Sequence, residues 1–486
     1  MKLCLINHDF RYEIEKTVRL FLPFYKLEYF NTKEDYGDCI ITEIKGNLAY
    51  SYISINGKTA KKSEIINNVH DEKESELRLA STLFDCFFKI TGYAPEWGMQ
   101  TGVRPSKLFS RLVREMGFDD ACEYLKHSLK VSDKKIALCN ETHESEESII
   151  SLSKPNSFSL YVSIPFCPTR CSYCSFVSHS VASAKKLIPE YLEKLCAELE
   201  YTARIVKEEN LRLETVYIGG GTPTTLEASQ LEMLMKAIER FFDLSCLREY
   251  TVEAGRPDTI TKDKLLVIKK HKATRISINP QTMNDSVLKE IGRQHTAKQT
   301  KEAFLLAREC GHENINMDLI AGLPTDTFES FKKTLDDVFE LNPESVTVHS
   351  LSMKRSSKLN LDGDFPEIEM GKTAEQMVDY AHQALTEKLW LPYYMYRQSK
   401  TVGNLENVGY AKAGFECLYN VYIMDETHTI LACGASAVTK LREPFNNHIE
   451  RIFNYKYPYE YIGNFEEIIS RKAGIKEFYV KYGNRD

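Results

Sequence analysis

The sequence predicts an α/β protein centred on a partial (β/α)6 barrel of TIM-like form, with an N-terminal α+β and helical half and a small C-terminal α+β region. Three observations predict it. Six short runs rich in β-branched residues (160–165, 215–218, 250–253, 275–279, 314–320 and 345–351) alternate with helical stretches at 186–208, 226–242, 262–270, 297–310 and 327–341. Strands separated by helices need crossover connections, so they form a parallel sheet. Every run ends in a glycine or polar element, at the strand ends where such barrels carry their chemistry. Finally, the first run leads straight into three cysteines, Cys167, Cys171 and Cys174.

Taken in order, residues 1–65 read as a small α+β domain. Apolar strands are expected at 2–6, 24–29, 38–44 and 48–55, the last two forming a hairpin turned at Lys45-Gly46-Asn47. Residues 66–154 switch to the helical period, with amphipathic segments at 74–91, 105–116, 119–129 and 134–140, and read as a helical connector. Residues 155–390 form the partial barrel and 391–486 a separate C-terminal region.

Composition sets the outer bounds. At 486 residues the chain holds about three domains at ~150 residues each. Its 43% apolar and 27% charged residues are those of a globular protein. The opening residues, with His8 and Asp9 inside a short apolar run, do not make a signal peptide, and no stretch reaches the ~18 apolar residues of a membrane span. A cytoplasmic location is therefore expected. Thirteen mostly dispersed cysteines then read as buried thiols and not as a disulfide framework. A net charge of −6 argues against a nucleic-acid partner.

The cysteine loop carries the strongest chemical signal. Iron–sulfur clusters are normally held by four thiolates. Three thiols at a C-x3-C-x2-C spacing are able to hold three irons of a 4Fe–4S cluster and leave the fourth open to a chelating molecule. Two plainer readings stand beside it: a Cys3His zinc site completed by His179, or buried thiols with no ligand.

The other strand ends supply partners for such a site. Strand two ends in Gly219-Gly220-Gly221-Thr222-Pro223, where backbone without Cβ atoms lets a ligand approach. Strand three delivers Glu253, strand four ends in Asn279-Pro280-Gln281, strand five carries Asp318 and strand six His349. One carboxylate can accept from two neighbouring hydroxyls, which makes Asp318 a candidate for a ribose diol. Arg293 could pair with a carboxylate through its fork, or be a solvated helix-end cation.

The loop after Tyr161–Phe166, the Gly-Gly-Gly-Thr-Pro turn and the Asp318 strand with Gly322-Leu323-Pro324 resemble the radical S-adenosylmethionine (SAM) superfamily. Within it the sequence resembles the oxygen-independent coproporphyrinogen III oxidase (HemN-like) group, and there the HemZ-type coproporphyrinogen dehydrogenase branch. The marks include 252–258, 402–410, 434–438 and the stretch 97–105. The resemblance implies a barrel of the radical SAM type with a 4Fe–4S cluster and S-adenosyl-L-methionine as cofactors. Cys167, Cys171 and Cys174 would hold the cluster. Gly220, Gly221 and Thr222 would contact the methionyl amino group; Glu253, Gln281 and Arg293 would line the pocket, with Arg293 on the methionyl carboxylate; Asp318 would take the ribose. Tyr161 and Gln281 would be the catalytic side chains. The reaction implied is oxidative decarboxylation of propionate to vinyl by a 5′-deoxyadenosyl radical.

One position departs from the pattern. The oxidase type has a further cysteine two residues past the third ligand, and here Phe176 stands there, as it does in haem-chaperone relatives. The implied partners are a tetrapyrrole (coproporphyrinogen III or haem) and a small electron-transfer protein such as a flavodoxin or ferredoxin. An alternative is a haem chaperone without decarboxylase activity; a third is an RNA-modifying enzyme, suggested by the added N-terminal half and a basic stripe of Lys107, Arg111 and Arg114. That stripe reads more simply as a solvated helix face. Tyr394 and Tyr396, and Tyr455, Tyr457, Tyr459 and Tyr461, alternate as half-buried strands do.

Overall fold

The computed structural model describes residues 1–32, 37–174, 179–352 and 366–483. They group into two compact units: 1–143 with 350–379 and 395–407, and 144–349 with 380–394 and 408–486.

The first unit is built on strands β1 (Lys2–Ile6), β2 (Glu28–Phe30), β3 (Cys39–Lys45), β4 (Leu48–Ile55) and β5 (Lys58–Ile65), in the order β2-β1-β3-β4-β5. β1 is parallel to β2 and β3, while β3, β4 and β5 form an antiparallel meander. Alternate residues of β4, Ala49, Ser51, Ile53 and Ile55, are buried, as a half-covered sheet requires. Helices Arg11–Phe21 and Glu72–Thr91 supply the apolar cover, with Phe21 and Phe87 stacked at 4.6 Å. Asp71 caps the second helix by accepting from the N–H groups of Lys73 and Glu74, and Gly92 at φ 65° ends it.

Four expectations need correction here. Residues 11–21 are a helix and 58–65 a strand, neither of which the strand-and-turn reading contains. The stretch 119–129 divides into a helix at Phe118–Glu123 and a π-helical turn at Tyr124–Ser128, and 134–140 is part of a longer helix, Asp133–Ile150. That helix buries Lys135, whose ammonium donates to Glu406 at 2.8 Å while Trp97 donates to the same carboxylate at 2.6 Å.

The remaining strands are β6 (Ser157–Ile164), β7 (Phe166–Cys167), β8 (His179–Ser180), β9 (Arg212–Gly220), β10 (Glu249–Glu253), β11 (Arg275–Ser277), β12 (Ile315–Ala321), β13 (Ser345–Ser350), β14 (Leu391–Arg397), β15 (Glu406–Ala411), β16 (Thr429–Cys433), β17 (Val438–Arg442) and β18 (Ile449–Phe453). The sheet order is β14-β15-β13-β12-β11-β10-β9-β6-β16-β17-β18, with β7 and β8 paired apart. The six strands expected of the barrel are neighbours in chain order, and the pairings from β6 through β12 are parallel. The sheet extends beyond the first of them, since β16 adds in parallel to β6. Tyr394 and Tyr396 do lie on a strand, β14. The alternation at 455–461 is not a strand, because Pro458 opens a short helix, Pro458–Gly463. No helix among the described residues is long and apolar enough to cross a membrane.

Candidate active site

The parallel strands are buried on both faces, and this picks out the site. In β6, β10, β12 and β13 the interior or terminal position left half-buried is Tyr161, Glu253, Asp318 and His349; β9 adds Tyr217. Strand pleating sends alternate residues to one face, and the register places Tyr161 beside Tyr217. Their rings lie 6.2 Å apart, and Tyr419 stacks on Tyr217 at 4.5 Å.

Two carboxyl groups at these strand ends are pushed in opposite directions. Burial pushes the Glu253 carboxyl up to about 7, assisted by the nearby Asp318 charge and opposed by the Tyr217 hydroxyl that donates to it at 2.5 Å. Burial acts on Asp318 too, but His349, with Nε2 at 3.7 Å, and the Asn316 amide, donating at 2.6 Å, hold it below the usual carboxylate range. The two carboxyl groups thus differ in how readily they ionise. The ionised Asp318 is the group able to accept from a diol.

The glycine turn is needed by its own surroundings. A Cβ on Gly221 would lie 2.6 Å from the Phe166 carbonyl oxygen and 2.8 Å from that of Ile164; Gly220 sits at φ 108°. Backbone N–H groups of Gly221 and Thr222 donate to those two carbonyls at 2.8 Å, stapling the turn to the start of the cysteine loop. The Thr222 hydroxyl then donates to Cys167 Sγ at 3.5 Å.

The cysteine loop is anchored from three sides. Ser172 N–H donates to the Ile291 carbonyl at 3.1 Å and the Thr169 hydroxyl to that of Gly292 at 3.2 Å. Arg293 donates from Nε to the Tyr173 hydroxyl at 3.1 Å and from Nη1 to the Asn279 carbonyl at 2.7 Å. Arg256 donates from Nη1 toward Cys171 Sγ at 3.8 Å. Cys171 is buried, and Cys167 and Cys174 are partly exposed.

Among the described residues no three His, Cys, Asp or Glu side chains converge on one ion position, so the Cys3His set that zinc needs is not formed. His179 instead packs its ring edge-on against Tyr457 and Tyr459 at 5.7 and 6.2 Å. A 4Fe–4S cluster makes a different demand, because its thiolates each hold a separate iron and do not meet at a point. Three thiols on one loop, two of them facing N–H or O–H donors, fit that group. Gln281 takes the left-handed conformation at φ 68°, donates its N–H to the Asp318 carbonyl at 2.9 Å and is buried. Phe176 lies outside the described residues.

Sequence reasoning missed Tyr217, Tyr419 and Arg256. Tyr217 left a usable signal, since it precedes the glycine turn by two residues in the strand beside Tyr161. Tyr419, on the helix Leu418–Asp425, left none.

Comparison with known proteins agrees with this geometry. The profile of the Radical SAM superfamily matches residues 161–338. The oxygen-independent coproporphyrinogen-III oxidase-like protein HemZ of Bacillus subtilis (strain 168) is 37% identical over 414 residues, covering 84% of this chain and 83% of the relative. The heme chaperone HemW of the same organism is 31% identical over 353 residues, covering 67% and 87%. Among solved structures, coproporphyrinogen III oxidase (HemN) from Escherichia coli shares the fold with a TM-score of 0.51 at 24% identity, covering 66% of this chain and 71% of that one. This chain belongs to the oxygen-independent coproporphyrinogen III oxidase-like group of the radical SAM superfamily, and is a radical SAM oxidoreductase whose cofactors are a 4Fe–4S cluster and S-adenosyl-L-methionine.

Proposed function

We propose that this protein carries out the oxygen-independent oxidative decarboxylation of coproporphyrinogen III to protoporphyrinogen IX, in haem biosynthesis. The observation that carries the proposal is the 37% identity to a coproporphyrinogen-III oxidase-like protein over most of both chains. In this reading Cys167, Cys171 and Cys174 hold the cluster. The turn Gly220, Gly221 and Thr222 takes the methionyl amino group, Arg293 the methionyl carboxylate and Asp318 the ribose hydroxyls, with Tyr161, Glu253 and Gln281 lining the same pocket. When bound and reduced, the two cofactors supply the radical chemistry that removes a hydrogen atom from a propionate side chain.

The protein's own part is to orient and to insulate. Burial raises the Glu253 carboxyl to about 7, so it ionises far less readily than Asp318, while the Tyr217 hydroxyl that donates to it fixes its orientation. The stacked rings of Tyr161, Tyr217 and Tyr419 shield these carboxyl groups from water. The electron donor is a small protein such as a flavodoxin or ferredoxin, and the site of action is the cytoplasm.

A second reading, a haem chaperone that does not decarboxylate, is favoured by the 31% identity to HemW over 87% of that protein. Product chromatography separates the two. Anaerobic protein given SAM, a reductant and coproporphyrinogen III should yield protoporphyrinogen IX. Stoichiometric haem binding with no vinyl product, under conditions that activate an authentic oxidase, decides for the chaperone.

A further inference from the structure

We infer that Arg256 is a positioning residue that sets the reduction potential of the cluster through Cys171. The inference rests on the cluster alone and not on the tetrapyrrole reading.

Arg256 stands on the turn after β10 and is 3% exposed. Its guanidinium is fixed by a fork-to-fork pair with Asp258, Nε to Oδ1 and Nη2 to Oδ2, both at 3.0 Å. Nη1 faces the cysteine loop, donating to the Thr169 hydroxyl at 3.3 Å, to the Thr169 carbonyl at 3.4 Å and to Cys171 Sγ at 3.8 Å. Nη2 reaches the same Thr169 hydroxyl at 3.3 Å. The cation is therefore aimed at a thiol that would ligate an iron, and it cannot turn away without breaking the Asp258 pair.

The physical consequence has a sign. Reduction adds negative charge to the cluster and its sulfurs, and a fixed N–H donor with a positive charge favours the reduced state. Arg256 should hence raise the potential, easing reduction by a weak donor. Asp258, only one pair away, opposes it and moderates the effect. Buried ion pairs serve stability poorly, because desolvation offsets attraction. A buried arginine whose spare donors all go to one metal-binding loop is better explained by what it does to that loop.

The test is an EPR-monitored redox titration of reconstituted protein, without any tetrapyrrole, at matched iron content. Arg256→Gln should fall to a more negative midpoint; a tenfold drop in the reduced-to-oxidised ratio at fixed potential corresponds to ~59 mV for one electron. Arg256→Lys, which keeps the charge but not the fork, should fall between Gln and wild type. An unchanged midpoint in Arg256→Gln at full iron occupancy overturns the inference. Should Arg256→Gln fail to assemble a cluster, Arg256→Lys decides: a midpoint more negative than wild type supports the assignment, and an unchanged or more positive one overturns it.

Discussion

Tyr217 donates its phenolic hydrogen to Oε1 of Glu253 at 2.5 Å, across the neighbouring strands β9 and β10. This contact joins a strand that ends in the glycine turn to one that ends at the pocket wall, and it makes the protonation of one carboxyl a property of the site.

The pH dependence follows. Burial raises the Glu253 carboxyl from 4.5 to about 7. The folded state therefore binds this proton more tightly than the unfolded chain does. The stabilisation is complete below the unfolded value and is lost as pH rises through about 7. The melting temperature of wild type should accordingly decline relative to Glu253→Gln across that window. Parallel melting curves for the two proteins would show that Glu253 is not the group responsible.

Anaerobic reconstitution should load about four irons per chain. Replacing Cys167, Cys171 or Cys174 by alanine should abolish the brown charge-transfer absorbance. Cys310→Ala and Cys433→Ala should keep it, since both thiols are buried on other elements. Tight zinc with no iron after anaerobic purification would sink the assignment.

Asp318 and Arg293 should separate in their effects. Asp318→Ala removes a charge-assisted acceptor and should weaken SAM binding about 10- to 100-fold, with cluster absorbance intact. Arg293→Ala should lose SAM affinity and some cluster as well, because Arg293 also ties Tyr173 of the cysteine loop to the Asn279 carbonyl. Equilibrium titration with absorbance on the same samples distinguishes them. Equal SAM affinity in Asp318→Ala and wild type would remove Asp318 from the cofactor pocket.

Lys135 and Glu406 form a buried pair, 3% and 0% exposed. Lys135→Met leaves the carboxylate in a dry interior without its counter-charge, and should cost about 3–5 kcal/mol of stability. Chemical denaturation measures it. A loss below about 1 kcal/mol would mean that water reaches the carboxylate.

How far the sequence reveals this depends on burial. The parallel strands were legible because burial on both faces makes them short β-branched runs, and their polar ends stand out against that background. The helix Arg11–Phe21 was not, because its apolar stripe of Ile14, Val18 and Phe21 is diluted by Arg11, Glu13, Glu15, Lys16 and Arg19. β5 hid for the same reason in Lys58–Ile65, an edge strand in which Ala60 is the buried residue. The parallel addition of β16 to β6 joins residues some 270 apart in sequence, which no local pattern announces. At the candidate site, single-residue reasoning singled out Cys167, Asp318 and Glu253. It did not find Arg256, because the fork to Asp258 and the reach to Cys171 exist only once two strand-end loops are brought together.

The central claim is that hydrogen abstraction here is coupled to loss of a propionate carboxyl. The direct measurement is a single-turnover reaction of reduced, SAM-loaded protein with coproporphyrinogen III carrying labelled propionate carboxyls. Coupled decarboxylation should give labelled CO2 and 5′-deoxyadenosine in equal amounts, with a vinyl-bearing product. Formation of 5′-deoxyadenosine without labelled CO2 would contradict it.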